Sequence, residues 1–292
     1  MPSAFTLTQA EVSQLHSRRQ PLIKEIQDLR EGRLLISFFI SFHSRSPLGP
    51  EDANMIEEVL VNSDTSQGVT LLLDAPGGDA LAAERIINLC RKYSKKDFET
   101  IVPARAKSAA TMVCLGSDRI LMGATSELGP IDPQIPMKIG DMWEWVGAHH
   151  IIRTYDDLMA KAVALQQGHI EPYLQQLAQF NATQIQMLRS ATKLAESIAV
   201  SSLKRGMMKK KSVAAIRARI KCFTDPDITL SHGRALSIEH LGDCRLNIEE
   251  IDLDTKLWKA ARALYTRSTF VVDRGEAGRK LLETVDSSYQ AG

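Results

Sequence analysis

Read for the spacing of apolar and polar positions, the first half of the chain alternates between two kinds of segment. "RLLISFFISF" (33–42) and "GVTLLLD" (68–74) are continuous apolar runs of the kind that a sheet covered on both faces requires. Between them, Met55, Ile56, Val59 and Leu60 keep helical spacing after a Pro/Gly turn. After Gly77–Gly78, the positions Ala82, Ile86, Leu89 and Tyr93 fall on one face of an amphipathic helix. "ETIVPARA" (99–106) reads as a third strand, "SAATMVCLG" (108–116) as a short apolar helix, and "DRILM" (118–122) as a fourth strand. Strand and helix thus alternate through 33–122, the pattern of a largely parallel sheet with crossover helices. The loop "GATSELGPIDPQIP" follows. Beyond it the pattern is helical over 155–167, 170–180, 182–205 and 212–221, with a strand-like "DITL" (227–230) and a small helix "SIEHLG". At the N-terminus, 8–31 predicts a polar helix or helix pair broken near Pro21.

Composition narrows the class without naming a function. The 292 residues are 44% hydrophobic and carry a formal net charge of +1, so no global charge draws the chain to nucleic acid or an anionic membrane. The most hydrophobic run, Leu34–Phe42, is far shorter than the roughly 20 residues that a membrane-spanning helix needs. "MPSAFTLTQAEVSQLHSRRQ" lacks the features of a signal peptide, and a cytoplasmic location is expected. Cys90, Cys114, Cys222 and Cys244 show no metal-ligand spacing and are expected to be reduced thiols. The acid-free stretch 204–221 holds eight basic residues and reads as a solvated or self-association face.

Chemistry concentrates at two strand-to-helix turns. In "DAPGG" (74–78) the glycines leave the backbone bare. In "ARAKSAATM" (104–112) Ser108 stands where a helix begins, beside free N–H groups. Adjacent parallel strands bring such turns to one crevice, and two converging donors beside a hydroxyl suit a tetrahedral oxyanion. Read locally, Ser108 is a helix cap.

The stretches "LLLDAPGGDALAAERI", "VPARAKSAATMVCLGSDRILMGATSELGPIDPQ" and, more weakly, "TLSHGRALSIEHLGD" give the chain a specific likeness over about 33–245. It resembles the serine dehydrogenase proteinase family of Clp-fold serine peptidases, related to signal peptide peptidase A within the Clp/crotonase superfamily. The resemblance implies stacked ββα units around a largely parallel sheet, with added N- and C-terminal helices. The expected divisions are a helical extension over 1–32, a catalytic domain over 33–250 and a helical extension over 251–292. It also implies Ser108 as nucleophile, Gly78 and Ala109 as oxyanion donors with Gly77 beside them, a peptide or protein substrate, a homo-oligomer, and no metal or organic cofactor.

The base is the open position. The Clp proteolytic subunit uses a histidine in the stretch that here reads "GPIDPQIP" and has none; Asp132 stands there instead and reads as a turn residue. The signal peptide peptidase relatives use a downstream lysine, which directs attention to Lys161 and, as an alternate, Lys138. Lys161, flanked by Leu158 and Leu165 at helical spacing, fits a buried base better and would complete a Ser–Lys dyad, with Ser126 as a possible hydroxyl partner. Lys107 is expected to point away from the site, His149 and His150 to face solvent, and His232 to hold structure. The competing readings are an inactive Clp-fold scaffold and a crotonase-type acyl-CoA enzyme using the same N–H pair.

Overall fold

The computed structural model describes residues 16–43, 46–165, 168–274 and 279–291. Four of the predicted strands form: β1 (Leu34–Ile40), β2 (Val69–Asp74), β3 (Phe98–Val102) and, after the two-residue β4 (Arg105–Ala106), β5 (Arg119–Met122). Every residue of β1, β2 and β3 is buried, Glu99 and Thr100 of β3 included, which accounts for the apolar runs of β1 and β2. Helix α1 (Gln20–Leu29) precedes β1, and the crossover helices are α2 (Pro50–Val61), α3 (Ala80–Tyr93) and α4 (Ala109–Leu115).

Period-two alternation splits the sheet's side chains between two cores. Leu34, Ile36, Phe38 and Ile40 of β1 join Leu71 and Leu73 of β2 in a core with α2, α3 and α4. Leu35, Phe39, Leu72, Ile101 and Leu121 face the other way, against α1 and α11 (Lys256–Arg274). β1, β2, β3 and β5 pair in parallel, with β9 (Ile248–Glu250) beyond β5. A second, two-stranded parallel sheet joins β4 to β6 (Glu127–Leu128). This is a mixed α/β architecture with a mostly parallel central sheet.

The C-terminal segment differs from the helical extension expected of 251–292. Its helix is present, but β10 (Lys280–Glu283) and β11 (Ser288–Ala291) add two antiparallel strands outside β1, giving the order β11-β10-β1-β2-β3-β5-β9. Leu281 and Leu282 are fully buried, and the Arg19 guanidinium grips the buried Glu283 carboxylate with two 2.7 Å bonds. The ends of the described chain are therefore part of the sheet's own packing. Of the N-terminal helix predicted over 8–31, residues 8–15 lie outside the described residues.

Further corrections fall after β6. The loop expected over 123–136 gives way at its end to an antiparallel hairpin, β7 (Gln134–Ile139) and β8 (Met142–Gly147), turning at Gly140. The helices follow as α5 (Ala148–Ala164), α6 (Glu171–Leu177), α7 (Ala182–Arg205), α8 (Val213–Arg219), α9 (Lys221–Thr224) and α10 (Pro226–Thr229). The last of these replaces the "DITL" strand: Asp225 caps it through Asp227 N–H, and Pro226 fits its first turn. Cys90 and Cys114 are buried free thiols. Cys222 and Cys244, expected as thiols, are joined as a disulfide because the short helical turn ending at Cys244 packs on α9. Among the described residues no helix is long and apolar enough to cross a membrane.

Candidate functional site

The two turns singled out by their glycines and serine are stitched together by backbone bonds. Ala75 N–H donates to Arg105 at 3.1 Å and Lys107 N–H donates back to Ala75 at 3.0 Å. At Gly77, φ is +102°, and a Cβ would stand 2.6 Å from Ser108 Cβ and 2.7 Å from the Lys107 carbonyl. The bare backbone thus lets the first turn lie directly against the serine. Gly78 is exposed, and a Cβ there would stand 2.3 Å from the Leu48 carbonyl, because Leu48 bridges Gly77 and Asp79 through two 2.8 Å bonds.

Ser108 holds φ +50° and ψ −119°, a conformation that L residues avoid. It precedes α4, yet its side chain makes no capping bond, so the local reading as a cap fails. The N–H groups of Gly78 and Ala109 donate to no acceptor among the described residues. A partly exposed serine, a strained backbone and two N–H groups without an acceptor among the described residues thus lie on the two turns that Gly77 brings together.

Of the basic candidates, Lys107 turns away as expected: its ammonium reaches the Glu127 carboxylate at 2.9 Å and the Leu128 and Arg234 carbonyls. Lys138 is exposed on β7, opposite Trp143, rather than in a loop. Lys161 is exposed on α5. The apolar stripe of that helix runs through Ala148, Ile151, Leu158 and Ala162, and Lys161 falls about 100° off it, so the expected apolar setting is corrected. Ser126 is buried but spends its hydroxyl on the backbone, donating to Val102 at 2.6 Å and accepting from Gly123 at 3.1 Å.

A different pair stands close by. Asp132 is buried, and its Oδ1 lies 2.9 Å from His232 Nδ1. His149 Nδ1 approaches Asp132 Oδ2 at 3.7 Å, with its ring tilted at 43° against His150, centroids 3.8 Å apart. Burial, and then the neighbouring His150, hold the His149 pKa below the usual value. The loop carrying Asp132 crosses the start of α4: Gly129 N–H donates to Thr111, which donates to Ala106. Leu128 and Leu236 exchange backbone bonds, and the Lys107 ammonium reaches the Arg234 carbonyl, so the segment bearing His232 is tied to the loop that carries Asp132. Neither residue was singled out for chemistry from the sequence. The available signals were an acid in the stretch where a histidine was sought and a histidine inside the weakest of the matching motifs.

Beneath the first turn, Asp74 ends β2 fully buried, with Oδ1 accepting from Arg105 N–H at 2.8 Å and Oδ2 unpartnered. Desolvation pushes its pKa up to about 7 against the lowering pull of the Arg105 bond. A raised carboxyl pKa means that the fold favours the protonated form. Its contribution is fully present below about pH 4 and declines as pH rises to about 7, at up to about 1.4 kcal/mol per unit. Asp74→Asn keeps an acceptor for Arg105 and is expected to remove that decline. Urea midpoints at pH 5 and pH 8 should show the variant gaining on the wild type at the higher pH.

A family model described as "ClpP-like SDH-type serine proteinase" matches residues 8–155. The chain is also similar to two uncharacterized proteins of Methanocaldococcus jannaschii. One is 25% identical over 138 residues, covering 44% of this chain and 46% of that protein. The other is 34% identical over 85 residues, or 29% of each. The chain thus spans less than half the length of the curated relatives it matches.

Proposed function

From a chain that belongs to the ClpP-like SDH-type serine proteinases, we propose a serine peptidase in which Ser108 is the nucleophile and Asp132–His232 supplies its base. The observation that carries the reading is Ser108 itself, held at φ +50° against Gly77 with its hydroxyl uncommitted to a cap. With Nδ1–H donated to Asp132, His232 keeps Nε2 as an acceptor for the serine proton. Ser108 Oγ then adds to the peptide carbonyl, and the N–H groups of Gly78 and Ala109 receive the negative oxygen. The imidazolium returns the proton to the leaving amine. Water, deprotonated by the same ring, adds to the acyl-serine and releases the second product.

The Ser–Lys dyad through Lys161 would need that exposed ammonium to become buried beside Ser108. The 2.9 Å Asp132–His232 pair, on a loop bonded to α4 through Thr111, supports the histidine version. The test is the intact mass after fluorophosphonate treatment at mildly alkaline pH. One adduct is expected on the wild type and none on Ser108→Ala. A folded wild type that takes no adduct would instead support the inactive scaffold.

A further inference from the structure

Cys222 and Cys244 close a covalent loop whose middle is His232, ten residues from the first cysteine and twelve from the second. Cys222 stands on α9, where the carbonyl of the next residue, Phe223, accepts from Ile131 N–H at 2.9 Å. That end of the loop is thus tied to the residue before Asp132. Cys244 is buried in the same core as Phe223 and Leu236. We propose that this disulfide is an exchange site for a dithiol reductant, and that its state sets whether His232 is held on Asp132; the consequence for catalysis rests on the peptidase reading above.

Three features carry it. First, little else holds the segment. Between the two cysteines only Phe223, Thr229, Leu236 and Leu241 are buried, and the His232 ring is tied down through Asp132 at 2.9 Å. Second, its backbone is strained beside the base and beside the bridge. Leu230, two residues before His232, has φ +60°, and Arg245, directly after Cys244, has φ +49°. L residues keep such conformations where their surroundings over-determine them, and opening the bridge removes one constraint. It also returns to the segment the conformational freedom that a cross-link withholds. Third, this pair is open to exchange and the other cysteines are not. Cys222 is partly exposed, next to the exposed Lys221, whose charge attracts an approaching thiolate. Cys90 and Cys114 are fully buried, and burial pushes both thiols up to about 12.

The exchange takes two steps. One thiolate of the dithiol attacks Cys222 Sγ, the S–S bond breaks, and Cys244 leaves as the thiolate. The second sulfur of the reductant then displaces Cys222 from the mixed disulfide. Two electrons enter the protein, the two protons of the dithiol end on the two cysteines, and the reductant leaves as a cyclic disulfide.

The experiment compares the full-length protein in glutathione disulfide and in dithiothreitol. Alkylation by iodoacetamide in urea, read by intact mass, counts the thiols. Two adducts are expected for the bridged protein, on Cys90 and Cys114, and four after reduction. Reduction is expected to slow fluorophosphonate labelling of Ser108 at least about tenfold, a part of what a positioned base contributes. It should also speed hydrogen exchange at Leu236 N–H, which is bonded to Leu128, by about tenfold. Cys222→Ser and Cys244→Ala should both label at the rate of the reduced wild type, with or without dithiothreitol. Four thiols in glutathione disulfide would overturn the proposal while the peptidase reading stands, and so would a reduced protein that labels as fast as the bridged one. A wild type that labels in neither state overturns the peptidase reading. In that protein, faster exchange at Leu236 on reduction still supports redox control of the segment, and unchanged exchange overturns it.

Discussion

His232→Ala is expected to lower peptide turnover by about a thousandfold, within the range of about 10²–10⁴ that a positioned general base contributes. The ring lies at the surface, partly exposed, with its Nδ1 on the Asp132 carboxylate as its one bond among the described residues, so the fold should tolerate its removal. Asp132→Asn should cost nearly as much by a different route. An amide that offers its NH₂ to Nδ1 turns the ring into the tautomer with Nε2 protonated, which cannot accept from the serine. Lys161→Ala, at an exposed position, should change kcat/KM by less than about twofold. Measuring kcat/KM and labelling rate for the three variants decides the base. If Lys161→Ala is silent toward the fluorophosphonate and His232→Ala reacts normally, the dyad stands and the histidine reading is wrong.

Gly77→Ala should be nearly as damaging, through geometry alone. The new methyl would stand 2.6 Å from Ser108 Cβ, 2.7 Å from the Lys107 carbonyl and 3.0 Å from Ala109 N, at a φ of +102°. The left-handed backbone costs about 1–2 kcal/mol and overpacking about 1–3 more. A loss of about 3 kcal/mol should lower Tm by about 5 °C in a chain of this length. Because the clashing atoms are the proposed nucleophile and the oxyanion donor beside it, labelling should vanish even in the fraction that stays folded. Gly32→Ala separates strain from contact: φ there is +75°, but no atom lies within 4 Å of the added carbon. It should cost about 1 kcal/mol and leave labelling intact. Equal thermal shifts for the two variants would remove the argument that Gly77 is fitted to the serine.

What could be read from the chain was what local spacing controls. Apolar runs announced β1 and β2, and the glycines after β2 marked the close approach to Ser108. Asp132 and His232 escaped because they are 100 residues apart and meet only through the pairing of Leu128 with Leu236. Lys161 misled for a matter of phase. The helix was started at 155 instead of Ala148, so its stripe through Ile151, Leu158 and Ala162 was missed. The β7–β8 hairpin carries a Gly-Asp turn signal, but its Trp143 and Trp145 are exposed, so apolar positions there do not report a buried face. At the C-terminus, Leu281–Leu282 is too short a run to announce the strand that covers β1.

That last strand also dictates an order of events during synthesis. β1 pairs with β10 across a separation of more than two hundred residues, Ser37 opposite Glu283. The face formed by Leu35, Phe39, Leu72, Ile101 and Leu121 waits for Trp258, Ala261 and Leu264 of α11. A chain leaving the ribosome at about 5–20 residues per second therefore carries a bare strand edge and an apolar face for tens of seconds. Released short of β10, the chain would keep Ser108 and its glycines yet present that edge to any neighbouring strand. Native assembly thus waits for α11 and β10, and a chain stalled before them is a substrate for chaperones.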